Sequence, residues 1–371
     1  MIDTTSKNVP AEQKLKDQDE LDDIISTWIN INNGKRPNIN DVARLSGVSK
    51  KTVSRVINGS PQVRPSTLAR INHVIKHVNY EPDIQARGLA LNHSFLVGLI
   101  YNNPNPQYVV NFQDGVLEGL RGSDFELAVH HCDRNAPDFF EQGKRFIERH
   151  RLYGVIMSPS VSEDNRLVDW LRLTKRPFIR VAGVQLDAQT PMIMSNDKQG
   201  GIEAAHHLAD LGHTDIAVIT GRDDFRSSQE RLDGFIIGLD GRGLRLKSEH
   251  IFKGQYTQES GFEAAEQLLA HGHRPTAIFA FNDEMAAGAM RALHINGLKV
   301  PEDISVMGYD DFTICLAMTP QLTTIHSPTH EIGKLAATKL LSNRSDDGYE
   351  RVSEVGPKLV VRESTAPPKI N

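Results

Sequence analysis

INDVARLSGVSKKTVSRVIN, residues 39–58, reads as two short helices about a glycine turn. The first is predicted over about Asn40 to Ser46, Gly47 and Val48 make the turn, and the second begins at Ser49, whose hydroxyl can cap free amides. On that second helix Val53, Val56 and Ile57 share an inner face, while Lys50, Lys51, Ser54 and Arg55 lie to the front and sides. A third helix is predicted from Pro65, a residue suited to the first helical position, with Leu68, Ile71, Ile75 and Val78 on one face. This is a helix-turn-helix module. In such modules the N-terminal residues of the second helix enter the major groove, where lysine and arginine donate to guanine edges and phosphates. An exposed basic helix on a plain three-helix domain is the alternative reading.

Charge divides the chain the same way. Residues 38–95 hold eight Lys and Arg against three Asp and Glu, whereas the whole chain carries a net charge of -5. A small basic module joined to an acidic body suits a polyanion-binding head on a soluble sensor. The 371 residues exceed what one core usually serves. The two cysteines, Cys132 and Cys315, stand far apart, offer no disulfide framework and suit a reducing compartment. No apolar run is long enough to span a membrane and residues 1–20 lack a signal-peptide core, so the cytoplasm is expected.

Residues 1–37 are polar and acidic, and a flexible leader is expected there. Leu21, Ile24, Ile25, Trp28 and Ile31 leave a short docking helix as the alternative. Beyond the three helices, residues 81–94 form a separate segment, and from residue 95 the pattern changes. Short apolar runs (LVGLIY, GVIMSP, RPFIRVAG, DIAVITG, TAIFAFND, ISVMGYDD) alternate with amphipathic helical stretches such as GGIEAAHHLADLG and MAAGAMRALHING. That alternation predicts a mostly parallel α/β sheet, and the number of units predicts two doubly wound lobes with a cleft between them. Such sheets bind ligands beyond the carboxyl ends of their strands, so ligand residues are expected just after the apolar runs.

The order IND-VARLSGVS-KKTVSRVIN-G-SPQVRPSTLARI, followed by NYEPDIQARGLA, closely resembles the head of the lactose-repressor (LacI-type) family of bacterial transcription regulators. The resemblance continues through RPTAIFAFNDEMAAGAMRAL, PEDISVMGYDDF and TPQLTTI, and so covers residues 39 to about 364. It implies a head over 38–80, a hinge helix over 81–94, and a body of the periplasmic-binding-protein type over 95–366. In that body the first lobe is expected over about 95–195 and 325–350, the second over about 196–324 and 351–366. By the same resemblance Lys50 and Lys51 would read base edges, and Arg55 would reach a base or the backbone. Ser49, Thr52, Ser54 and Asn58 would hold phosphates, Arg87 would assist at the hinge, and Leu89 would wedge into the minor groove.

For the body the resemblance implies a sugar-type effector held by Arg231, Asn282, Asp283 and Asp310, with Tyr108 and Tyr256 as aromatic faces. Asn196, Asp197 and Phe225 are expected nearby. Helix capping alone is the plainer reading of Asp283 and Asp310, and packing that of the tyrosines. The pairs His130-His131, His206-His207 and His271-Gly272-His273 lack the spacing that completes a metal site. No GxSxG, phosphate-binding GKS/T loop or GxGxxG is present, so neither enzymatic activity nor a cofactor is expected. The expectation is a homodimeric repressor of carbohydrate-utilisation genes, bound to a palindromic operator in double-stranded DNA and controlled by a sugar between the lobes. A bilobal sugar-binding receptor without DNA function is the alternative.

Overall fold

The computed structural model describes residues 11–32, 34–57, 60–81, 94–272, 274–342 and 351–369, with side chains from residue 19 onward. Two compact units result, Met1–Asn92 and His93–Asn371. Among the described residues no helix is long and apolar enough to cross a membrane.

In the first unit, α1 spans Ala11–Ile31, α2 Ile39–Leu45, α3 Lys50–Ile57 and α4 Pro65–His77. A capping box opens α2: the Asn38 side chain accepts from the Asn40 and Asp41 amides, and Asp41 Oδ2 accepts from Asn38 N–H at 3.0 Å. The helix stops at Gly47, whose φ of 65° is left-handed. Val48 N–H donates to Ala43 O at 3.0 Å and Gly47 N–H to Arg44 O at 3.2 Å, a closure that favours glycine. Ser49 then starts α3, its Oγ accepting from Thr52 N–H at 3.2 Å.

The expectation of a flexible leader is corrected over residues 11–31. Leu21, Ile25 and Trp28 form a narrow stripe at helical spacing, and Ile25 and Trp28 are buried in one core with Val42, Val53, Val56, Ile71 and Val74. The remaining residues of α1 are mostly polar or charged, which hides that stripe in any average over the segment. Residues 82–93, which hold most of the expected hinge segment, lie outside the described residues.

The second unit contains two six-stranded sheets. The first comprises β1 (Leu96–Tyr101), β2 (Glu126–His131), β3 (Gly154–Met157), β4 (Phe178–Ala182), β5 (Met192–Met194) and β11 (Val352–Glu354) in the order β11-β5-β4-β3-β1-β2, all parallel. The second comprises β6 (Ile216–Thr220), β7 (Ile251–Lys253), β8 (Ala277–Ala280), β9 (Ser305–Asp310), β10 (Thr323–His326) and β12 (Lys358–Val360). Its order is β12-β10-β9-β8-β6-β7, parallel except where β12 runs against β10.

Helices flank both sheets: α5 (Pro106–Leu120), α6 (Phe139–Arg149), α7 (Asn165–Leu173) and α12 (Thr329–Leu341) on the first, α8 (Asp197–Asp210), α9 (Arg226–Asp240), α10 (Gln258–Ala270) and α11 (Asp283–Ile295) on the second. The chain passes between lobes after β5, after β10 and between β11 and β12. The expected boundaries near 325 and 351 therefore shift toward the C-terminus. Thr323–His326 pairs with β9 in the second sheet, and Val352–Glu354 pairs with β5 in the first.

In both sheets the strand order reverses beside the first strand of the lobe, β1 or β6. The cleft sits at these switch points, as the physics of parallel sheets requires.

Ile25→Ala tests the extended head core. At 2 % exposure, the truncation is expected to cost about 2–5 kcal/mol of head stability in denaturant unfolding of the full chain. A change below about 0.5 kcal/mol would remove α1 from the core.

Candidate functional site

On α3 the side chains of Lys50, Lys51 and Arg55 are exposed, Thr52 and Ser54 are half-buried, and Val53 and Val56 are buried. Among the described residues no carboxylate pairs with Lys50, Lys51 or Arg55. Ser49 is exposed, and its Oγ lies 2.9 Å from Thr52 Oγ1. The helix thus presents a row of cations and hydroxyls on an apolar base, a surface suited to phosphates and guanine edges. Asn58, Arg87 and Leu89 lie outside the described residues.

The cleft of the second unit collects residues that follow strand ends. Asn102, Asn103 and Asn105 follow β1; Ser158, Pro159 and Ser160 follow β3; Phe225 follows β6 and Asn282 follows β8; Asp310 ends β9. The cleft holds about 630 Å3 of empty space counting its open mouth. Tyr108, Asp197, Phe225, Arg231, Tyr256, Asn282 and Asp310, all expected at the site, line it together.

At its floor Arg231 is buried. Its Nε donates to Asp197 Oδ1 at 2.9 Å, its Nη1 to the Phe281 carbonyl, and Nη2 stands 3.7 Å from Asp310 Oδ1. The guanidinium lies over the Tyr309 ring, 3.6 Å from its centroid. Burial by itself would lower the Arg231 pKa, but Asp197 and the neighbouring oxygens raise it above its ordinary value.

Glycines make this geometry possible. A Cβ on Gly201 would meet Arg231 O at 2.2 Å, and one on Gly234 would meet Lys198 O at 2.0 Å. Helices α8 and α9 therefore approach closely enough to set Asp197 against Arg231.

Asp310 sits in strained backbone, with φ of 111°, and Asp311 follows at 63°. Such residues cost on the order of 1–3 kcal/mol each and persist only where the surroundings fix them. Here Arg362 Nη2 grips Asp311 Oδ1 at 2.6 Å. The strain aims a carboxyl into the cleft whose nearest cation is beyond hydrogen-bond length. Burial raises the Asp310 pKa well above its ordinary value, with Arg231 opposing. Its protonated form can donate as well as accept.

Two expected ligand residues do not line the cleft. Asn196 adopts left-handed backbone, φ 50°, caps α8 by accepting from Gln199 N–H, and donates to Glu354. Asp283 is the first residue of α11 and points behind the floor. It accepts from Thr324 Oγ1 at 2.6 Å and Phe312 N–H at 2.8 Å. The N-cap of α11 is Asn282, whose Oδ1 accepts from Met285 N–H at 2.9 Å while its amide donates to Tyr256 O at 3.1 Å.

Other lining residues were absent from the sequence reading. Asn105 Nδ2 and Ser158 Oγ are buried without a hydrogen-bond partner among the described residues. Asn105 Oδ1 meanwhile accepts from Gln107 and Tyr108 N–H, which fixes the amide. Their signal was available, since Ser158 directly follows the run GVIM and Asn105 lies shortly after LVGLIY. Opposite lobes touch near the mouth, where Asn135 Nδ2 donates to Asp224 Oδ2 at 3.0 Å.

Comparison with known proteins agrees with both surfaces. Residues 38–83 match the lacI family of bacterial regulatory proteins, and residues 205–365 match the periplasmic binding protein-like domain. The probable HTH-type transcriptional repressor ExuR of Bacillus subtilis (strain 168) is 36 % identical over 333 residues, 88 % of this chain and 97 % of the relative. The chain belongs to the LacI family of bacterial regulatory proteins. As a LacI-family member it is a sequence-specific DNA-binding transcription regulator. Among solved structures, the lac repressor dimer bound to operator and an anti-inducer is similar at TM-score 0.74 and 28 % identity, over 90 % of this chain and 100 % of that one. A complex of the regulator CelR with cellobiose is similar at TM-score 0.65 and 29 % identity, over 89 % of this chain and 100 % of that one.

Burial pushes the Asp283 carboxyl from 3.8 to about 7, against the hydrogen bonds from Thr324 and Phe312. Between these values the unfolded chain releases this proton while the folded chain keeps it, so stability falls as pH rises from about 4 to about 7. Asp283→Asn, which cannot ionise, is expected to flatten that part of the profile. Urea midpoints measured across this range check it, and an unchanged slope would contradict the assignment.

Proposed function

We propose that this LacI-family regulator is a cytoplasmic homodimer that represses carbohydrate-utilisation genes from a palindromic operator, and releases it when a neutral sugar enters the cleft. The observation that carries the effector class is the balance of the lining. Asp197 already neutralises Arg231. The remaining lining side chains are Asn, Ser, Thr, Tyr and apolar groups with Asp310, and none is a second cation. A ligand carboxylate or phosphate would lose its hydration there without a free charge partner. Hydroxyl groups fit better: Asn105 Nδ2 can donate, Ser158 Oγ can do both, and the Asp310 carboxyl can bridge neighbouring hydroxyls. Tyr108, Phe225 and Tyr256 supply rings for the apolar face of a sugar. The related regulator CelR, solved in complex with cellobiose, supports the same class.

Ser195 Oγ donates to Asp197 Oδ2 at 2.6 Å, but that carboxylate is engaged by Arg231, and the ligand is read as bound without being converted. Effector control follows from differential affinity. A ligand that bridges the lobes stabilises one lobe arrangement, and operator affinity changes only so far as that arrangement differs between DNA-competent and incompetent states. A two-fold dimer meets two-fold DNA, so the operator is expected to be a short palindrome.

Selection of sites from random duplex DNA by the full chain, at fixed salt and with a panel of neutral mono- and disaccharides, tests this reading. An enriched palindrome whose binding one sugar weakens is expected. Replacing both Lys50 and Lys51 by alanine should abolish the enrichment while sugar binding persists. Enrichment that survived the double substitution would displace α3 as the reading helix, and no enrichment at all would favour a receptor without DNA function.

A further inference from the structure

The helix added to the head brings an acid against two histidines. His73 and His77 stand four residues apart on α4 and so share a face. Their ring centroids are 4.0 Å apart. From α1, Asp22 Oδ1 lies 2.5 Å from His73 Nε2. One ligand atom from each of the three lies within 4.8 Å of the others, and among the described residues this is the one such group of His, Cys, Asp and Glu. It includes none of the histidine pairs set aside in the sequence.

We propose that Asp22, His73 and His77 form a binding site for a divalent transition-metal ion of the zinc class, which fastens α1 to the head. Imidazole and carboxylate are borderline-hard donors that suit zinc, cobalt or nickel, and three protein ligands leave a fourth position to water. A tetrahedron around bonds of about 2.0 Å has edges of roughly 3.3 Å, so Asp22 and His73 at 2.5 Å need to part by roughly 0.8 Å and the wider pairs, within 4.8 Å, to draw together by at most roughly 1.5 Å. The orientation of His77 is that of a metal ligand. Its Nδ1 lies 2.8 Å from the His73 carbonyl, and donating there leaves Nε2 with its lone pair free. The Asp22–His73 hydrogen bond alone would join the two helices without any need for His77, so His77 separates the two accounts. Asp22 lies ahead of residues 38–83, where the family match to the head is found; the site is therefore formed with a segment outside that match.

The test uses the full chain stripped of metal by a chelator. Titration with Co2+ is expected to give visible absorption of tetrahedral type that saturates at one equivalent and is displaced by Zn2+. His77→Ala, at an exposed position where folding is not at stake, should abolish it, and Asp22→Asn should weaken or abolish it. With free Zn2+ at about ten times its Kd, hydrogen exchange of α1 amides should slow roughly tenfold in the parent chain and not at all in His77→Ala. A parent chain without a saturating band, a band that persists in His77→Ala, or exchange in α1 that zinc leaves unchanged would each overturn the proposal.

Discussion

The cleft depends on one buried cation. Arg231 is held between Asp197 and Asp310 and lies over Tyr309. A guanidinium removed from water costs several kcal/mol unless its donors are satisfied. Here one edge is satisfied by Asp197 and the Phe281 carbonyl, while the other faces Asp310 across a gap too long for a hydrogen bond. That incomplete pairing is what a ligand can complete. The surroundings are arranged to hold it: a Cβ on Gly200 would lie 2.4 Å from the Tyr309 hydroxyl, and Gly201 and Gly234 let α8 and α9 close on one another. The strain at Asp310 is fixed from outside by Arg362 on Asp311.

The head obeys a simpler rule. Ile25, Trp28, Val42, Val53, Val56, Ile71 and Val74 are consumed in a core shared by α1 to α4, Leu68 is exposed and not on the apolar face expected of it, and the cations left over on α3 have no acidic partner among the described residues. Arg44 on α2, by contrast, is answered by Asp41 at 3.3 Å. Unanswered cations on a helix beside a tight turn are a surface prepared for an external polyanion, whereas the cation inside the cleft is already paired with Asp197. The two chemistries sit in separate compact units, which is why each could be read by itself.

Much of this was legible in the sequence because it is local. The turn at Gly47, the start at Pro65 and the alternation of apolar runs with helices need only nearest neighbours, and they define the helix-turn-helix and the two doubly wound lobes. Strand ends also announced most of the cleft, including Arg231's partner Asp197 and the carboxyl of Asp310. What escaped depends on direction within a turn or on distant partners. Asn282 and Asp283 are adjacent, yet the cap faces the cleft and the first helical residue faces Thr324 behind it. Asn196 is turned aside by its left-handed backbone. The burial of Ile25 and Trp28 needs α4 to exist first, and Asp22 meets His73 across 51 positions of chain. No window on the sequence contains both.

The central claim is that the charge of Arg231 is already answered by Asp197 and only its hydrogen-bonding capacity on the Asp310 side is left open, so that the effector is recognised by hydroxyl groups and not by charge. Calorimetric titration of the full chain with matched pairs of an aldose and its uronate, at one pH and one ionic strength, tests it most directly. The account predicts that the neutral member of the binding pair is tighter by about tenfold or more, equivalent to about 1.4 kcal/mol. A uronate that bound more tightly than its aldose would contradict it, and would mean that Arg231 leaves Asp197 to meet the ligand.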